Sequence, residues 1–354
     1  ANENISEDVV LSNTLQVIRL GSTPKVMPLS IDWDTDIYRY PENRYKIIVD
    51  DKYFHLSDFD LEILNDKIES YIDFSLSMNS IRSSYRIEYG QDANMNYFYK
   101  VQQLSGSKIS ITEANKIYDN IVDYFNTNNN APVIYFADGG ILYANNYVKV
   151  KKDNIPFNVD NLIALPWEGV DLRKESQDIY PYHKDSIQYY FSNYIKDRFD
   201  VIYDDDYSGE IADLIGFNIE EKQIHIHLFH LKYALDGKVS NKISNFYEVC
   251  GQAEKCIKWR NRGKENELFD HLFRRMEKTF KKESCLRLIK GTENQLEQMS
   301  NDVRWKKELK FHVAIVQPSL SKAKHPEDIM NLLGAVQTYL VEEANVNLEV
   351  YCSE

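Results

Sequence analysis

Two strongly β-prone segments, EIADLIGFNI (210–219) and QIHIHLFHLKYA (223–234), stand three residues apart. The linking EEK is a tight turn, whereas parallel neighbours need a crossover of about a dozen residues. The pair is therefore expected to form an antiparallel hairpin, and it carries Asp213, His230 and Lys232 into apolar surroundings. Charged groups there are costly without a partner, so these residue types call for a reason.

The surrounding pattern predicts what covers the hairpin. DSIQYYFSNYI (185–195) reads as a helix and FDVIYDDD (199–206) as a strand running into an acidic turn. After the hairpin, helices are expected at 243–261, 266–282 and 293–304, a buried strand at 309–320, a helix at 327–345 and a strand at 346–352. The order α-β-β-β-α-(α-α)-β-α-β describes an α/β unit, a mixed sheet flanked by helices. Upstream, RYKIIVD (44–50), YFHLSDF (53–59), SSYRIEYG and YFYKVQQL read as strands, and 132–146 as two strands about an ADGG turn. LEILNDKIESYIDF (61–74) and TEANKIYDNIVDYFNTN (112–128) are spaced like helices, so the first half is expected to be a smaller α+β domain. The composition shifts across IALPWEGVDLRKESQ (163–177), which divides the 354 residues into domains 1–165 and 166–354.

Composition removes several classes. A 43% hydrophobic content excludes a wholly disordered chain, and the longest apolar runs fall far short of a bilayer span. The N-terminus ANENISEDVV does not read as a signal peptide, and its lack of an initiator Met points to a processed chain or a region of a larger protein. Four Cys without a CxxC fit a reducing cytosol, so the expected location is cytoplasmic.

The chemistry converges on the hairpin. Residues i and i+2 of a strand share a face, so His230 and Lys232 point the same way, and the turn brings them to one end of the sheet with Asp213. A carboxylate there can hold Mg²⁺, and the metal lowers the pKa of a bound water. A neighbouring Lys can orient that water or stabilise the charge that develops on phosphorus. A plainer reading competes, an Asp213–Lys232 ion pair closing the hairpin. His225, His227 and His230 suggest a three-His zinc site, but alternation sets His225 and His227 opposite His230 and such a site would break the pleat, so two ordinary sheet histidines are the plainer reading of that pair. Of Asp204, Asp205 and Asp206, a solvated turn is the first reading and a metal ligand the second.

An acidic residue in the second core strand, a [D/E/Q]-x-K tripeptide in the third and helices around them resemble the restriction-endonuclease-like PD-(D/E)xK nucleases. Gln252 in YEVCGQAEK is similar to the helix glutamine that several members place beside the metal. The run from WEGVDLRKESQ through DDDYSGEIADLIGF, HLKYA and YEVCGQAEK to IVQPSLSK also resembles the C-terminal region of bacterial DEAD/DEAH-box helicase-family proteins associated with restriction and phage defence. The resemblance covers about 160–354 and more loosely the segment before it. It implies a restriction-endonuclease-like core, Mg²⁺ or Mn²⁺ as cofactor, Asp213 as main ligand and Lys232 as water-orienting residue. His230 and Glu210 are implied as auxiliary ligands, Gln252 as a positioning residue, DNA as substrate, and a helicase as partner or fused region. The chain itself has neither a Walker A motif nor a DEAD/DEAH box.

His230 departs from the pattern, because imidazole ligates transition metals better than Mg²⁺. The departure points to Mn²⁺, to recruitment of Glu210 or Glu175, or to a degenerate site that only binds nucleic acid or protein. Regular strand alternation would aim Glu210 away from Asp213. Residues 255–290 hold twelve Lys/Arg against five Asp/Glu in a chain of net charge −13. Lys255, Lys258, Arg260, Arg262, Arg274 and Arg275 are accordingly the expected DNA-binding residues, with a solvated helix face as the competing reading. Trp259 and Trp305 are candidates for base stacking or for core packing. Oligomeric state is left open, a homo-oligomer included.

Overall fold

The computed structural model of the chain describes residues 15–33, 45–78, 80–114, 116–127, 130–150, 155–178, 181–207, 209–240, 242–260, 265–277, 279–280, 283–284, 287–305 and 307–354. The C-terminal unit is mixed α/β. In chain order it contains β1 (Leu162–Leu165), α1 (Ile187–Ile195), β2 (Val201–Asp204), β3 (Leu214–Ile219), β4 (Gln223–Leu231), α2 (Tyr247–Lys255), α3 (Glu265–Glu277), β5 (Leu288–Lys290), α4 (Glu293–Trp305), β6 (Glu308–Ser321), α5 (Glu327–Ala344) and β7 (Leu348–Ser353).

Seven strands form one sheet in the order β1-β7-β6-β4-β3-β2-β5. Pairing is antiparallel from β5 to β4 and parallel from β4 through β6 and β7 to β1. Connection length explains the switch. The EEK turn forces a hairpin between β3 and β4, while the returns to β6 and β7 run through helices. Helix α5 shows why such returns hold. Acidic Glu327 and Asp328 occupy its first turn, and Asn345 closes it in the left-handed region at φ 51°. Its Ile329, Leu332, Leu333, Val336 and Leu340 are buried at helical spacing. Ile224, Ile226 and Leu228 of β4 share a core with α2 to α5, and Phe229 and Leu231 share another with α1.

The first half differs from the expected α+β domain. Its strands form one five-stranded and two four-stranded sheets, and its described residues hold a single α-helix, Ile121–Phe125. The helix expected at 61–74 is instead the strands Asp60–Ile63 and Tyr71–Met78. Ile72, Phe74 and Leu76 go inward on a period of two, and Asn65 ties the turn by accepting from the Asp73 N–H at 2.8 Å. Pairing with Ile81–Gln91 overrides the weak local helical spacing. Among the described residues of 112–128, Ile121–Phe125 alone is helical, N-capped by the Asn120 side chain. The residues before it pair as the hairpin Ser110–Glu113 with Lys116–Tyr118.

The two halves meet where strand Pro28–Asp32 packs on α2 and Tyr135 meets Tyr339 edge-to-face at 5.8 Å. Glu254 of α2 is buried beside these tyrosines, and burial pushes its pKa up to about 8. In the unfolded chain it titrates near 4.5. A raised folded pKa means that Glu254 loses stability for the fold as pH rises from the unfolded through the folded value. Glu254→Gln should remove that loss, so urea midpoints of variant and wild type should diverge in favour of the variant between pH 5 and pH 8. A constant gap across that range would show that the carboxyl does not titrate as described.

Candidate metal centre

The end of β2, the start of β3 and the end of β4 lie at one edge of the sheet, since Asp204 pairs with Leu214 and Leu214 with Phe229. Asp213 stands one residue before β3, not in mid-strand as expected. Its Oδ2 accepts the Leu231 N–H at 2.7 Å, which fixes the carboxylate against the end of β4. Glu210 also lies outside the strand, so alternation does not send it to the opposite face. Asp206, Glu210 and Asp213 each offer a carboxylate oxygen within 4.8 Å of the others, and no other group of three metal-ligating side chains occurs among the described residues.

The electrostatics are those of crowded like charges. Burial first, then Glu175 and Asp206, holds the pKa of Asp213 well above the usual carboxylate range. Glu210 is raised by burial and by Asp213, Asp206 and Asp60. Asp206 Oδ2 is buried with no hydrogen-bond partner among the described residues. A divalent cation would offset all three effects at once, and an all-oxygen donor set suits Mg²⁺ or Mn²⁺.

The rest of the acidic turn is structural, against the solvated loop expected for it. Asp204 is buried and accepts from Gln177 Nε2 at 2.6 Å and Gln188 Nε2 at 3.0 Å. Asp205 is fully buried, accepts the Ile211 N–H at 2.7 Å and is ion-paired with Arg275 Nε. Arg275 also donates to the carbonyls of Asp205, Asp206 and Tyr207 at 2.6, 2.9 and 3.0 Å. Arg287 donates to those of Asp204 and Asp206 at 3.0 and 3.2 Å. Arg275 was expected on a DNA-facing surface. It is 3% exposed and clamps the turn that presents Asp206, because a helix face at the core must pair any charge it carries.

Lys232 follows β4 and reaches Glu248 Oε1 at 2.6 Å and Glu175 at 3.4 Å. Burial pulls its pKa down, but Glu175 and Glu248 outweigh it and keep the ammonium charged. The expected alternative, an Asp213–Lys232 ion pair closing the hairpin, is not what forms: Asp213 is anchored by a backbone N–H and Lys232 by two glutamates. Glu175, one of the two expected alternatives for a second carboxylate, lines the cleft but stands outside the trio; it pairs with Lys232, and its Oε2 accepts the Tyr233 N–H at 2.8 Å. On α2, Glu248, Gln252 and Lys255 fall at i, i+4 and i+7 and line the same cleft. Gln252 Nε2 donates to Glu210 Oε1 at 3.5 Å.

His230 also lines the cleft but stands outside the acidic trio. It is 2% exposed, burial lowers its pKa to about 3, and neither ring nitrogen has a partner among the described residues. His225 and His227 lie on the opposite face, as alternation requires, and stack with His312 of β6. His227 and His312 are 4.1 Å apart at 6°, a geometry in which ring nitrogens do not converge on one ion.

The cleft is about 580 Å³, and its lining includes the trio, Glu175, His230, Lys232 and the α2 residues. Of the residues expected to bind DNA, Lys255 and Lys258 line it, Arg260 is exposed five residues past the end of α2, Arg274 is half-buried and Arg275 faces inward. Arg262 and the side chain of Trp305 lie outside the described residues. Trp259 is buried at 5.1 Å from the His271 ring and also forms part of the lining. Sequence reasoning missed Glu248, whose i, i+4 relation to Gln252 was the available signal. It also missed Asp60, for which no local signal exists.

No family model, curated protein or solved structure matches the chain. No helix among the described residues is long and apolar enough to cross a membrane. The cleft itself brings together three carboxylates able to share a divalent cation, a charged lysine and a neutral imidazole. Lys232→Met should leave Mn²⁺ binding to the trio intact by calorimetry, since the lysine is paired with Glu175 and Glu248 and not with the trio. Loss of Mn²⁺ binding in this variant would make Lys232 part of what builds the metal site.

Proposed function

We propose that the chain is a metal-dependent nuclease that hydrolyses DNA phosphodiester bonds. The observation that carries this reading is the meeting of Asp206, Glu210 and Asp213 within 4.8 Å, in a cleft that also holds Lys232. The strand order supports a restriction-endonuclease-like core. An antiparallel β2-β3-β4 meander continues through helices into parallel β6 and β7, with the acidic residues at the head of β3 and the lysine at the tail of β4. By analogy with the defence proteins that the sequence resembles, the nuclease would serve an anti-phage or restriction system beside a helicase.

The trio would hold Mg²⁺ or Mn²⁺, which supplies an activated water and neutralises phosphate charge. Asp213 is held for ligation by the Leu231 N–H. Gln252 steadies Glu210 from α2. Lys232, charged and fixed by Glu175 and Glu248, directs a positive charge to the place where the phosphoryl oxygens gain negative charge. His230, neutral and unpaired, can accept a hydrogen bond from a water in the cleft. Incubating single-stranded, supercoiled and linear duplex DNA with and without Mn²⁺ tests the reading. Metal-dependent cleavage of at least one of these forms is expected, and all of them intact under every condition would refute it.

His230 also favours a second reading, a binding module on the same fold, because a buried neutral imidazole stands where a Glu or Gln would add an oxygen ligand. Under that reading Mn²⁺ would not bind in a manner that depends on Asp213.

A further inference from the structure

One wall of the cleft is not built by the unit that carries the metal centre. Strands Pro28–Asp32 and Asp60–Ile63 of the N-terminal unit supply it, and its charged residues are Asp60, Glu62 and Asp66, with no cation. Around the whole cleft, eight carboxylates stand against three lysines. This wall is docked closely. Asp60 Oδ2 accepts the Gly209 N–H at 2.8 Å, one residue before Glu210. Buried Asp32 pairs with Lys258 Nζ at 3.3 Å, occupying one of the cations that phosphate would use. A Cβ on Gly251 would lie 2.5 Å from Ser30 Cβ and 2.9 Å from the Leu29 carbonyl oxygen, so the helix carrying Gln252 touches the wall at backbone distance.

Both size and charge then select. A cleft of about 580 Å³ has the volume of a site for one small ligand. Duplex recognition usually buries about 1,000 Å² or more of protein and brings two phosphate strands, one of which would face Asp60, Glu62 and Asp66. A single strand can turn its phosphates to the metal centre and lysines, and its uncharged bases to the acidic wall. We infer that the docked N-terminal unit restricts this site to single-stranded nucleic acid, and that a duplex enters only when the wall is displaced. The inference rests on the nuclease reading for its substrate class.

Binding of one fluorescent oligonucleotide, single-stranded or annealed to its complement, can be measured by anisotropy in Ca²⁺, with cleavage in Mn²⁺ run in parallel. Wild type should bind the single strand at least about tenfold tighter than the duplex. Asp32→Asn with Asp60→Asn, which breaks both polar contacts, and Gly251→Val, which wedges the contact without changing charge, should each narrow that gap. Glu62→Gln with Asp66→Asn removes the same charge from exposed positions of the wall without breaking its contacts to the other unit, and should narrow the gap less than either of those variants. If Gly251→Val fails to fold, the two-asparagine variant decides. Equal binding of strand and duplex by wild type, no binding of the strand, or no gain in duplex affinity beyond the control would overturn the inference. The expected binding pattern without cleavage by any form would count against the nuclease and leave the wall standing. Equal cleavage of strand and duplex by wild type would do the reverse.

Discussion

On the proposed nuclease reading, Asp213→Asn should abolish Mn²⁺ binding and reduce DNA cleavage by about 1,000-fold or more, the scale on which a key electrostatic group at a reacting centre acts. The substitution is chosen for its shape. An asparagine carbonyl can still accept the Leu231 N–H, so the ends of β3 and β4 stay tied while the negative charge is lost. Removing one of three crowded carboxylates also relieves repulsion, since burial, Glu175 and Asp206 all disfavour the charged form of Asp213. The variant should therefore be as stable as wild type or more so, while inactive. Calorimetric Mn²⁺ titration and urea unfolding read the two halves of this prediction. Retained metal binding, or inactivity explained by lost stability, would remove Asp213 from its assigned role.

Arg275→Met is expected to have the largest effect on stability. Burial works against the guanidinium charge, and Asp205 more than compensates. Removing the cation leaves a fully buried Asp205 carboxylate with the Ile211 N–H but no countercharge from Arg275, and takes one donor from each of the carbonyls of Asp205, Asp206 and Tyr207, while Arg287 still reaches that of Asp206. Breaking a buried pair from one side costs about 3–5 kcal/mol. Because the same guanidinium holds the carbonyls of the acidic turn, metal affinity should fall even in the fraction that remains folded. Urea unfolding measures the first effect. A loss below about 1 kcal/mol, the scale of an exposed pair, would contradict the clamp.

Arg275 also shows where reading a basic run by charge goes astray. Lys255, Lys258, Arg260, Arg274 and Arg275 look alike as a string of cations. Their partners, however, come from residues far away in sequence, Asp32 for Lys258 and Asp205 for Arg275. The segment 61–74 departs from the expected helix for a related reason. Its apolar residues fit two periods over a short window, and the long neighbouring strand Ile81–Gln91 chose between them.

What the sequence alone determined was local. A three-residue turn between two apolar segments dictated the hairpin, and the hairpin put Asp213 and Lys232 at one sheet edge. The tertiary structure decided which other side chains meet there: Asp206 and Glu210 rather than His230 beside Asp213, two glutamates on Lys232, and an acidic wall contributed by the other half of the chain. The physical reason is range. Turn length and side-chain periodicity act over a few residues, whereas the burial and pairing of a charge depend on every element packed around it.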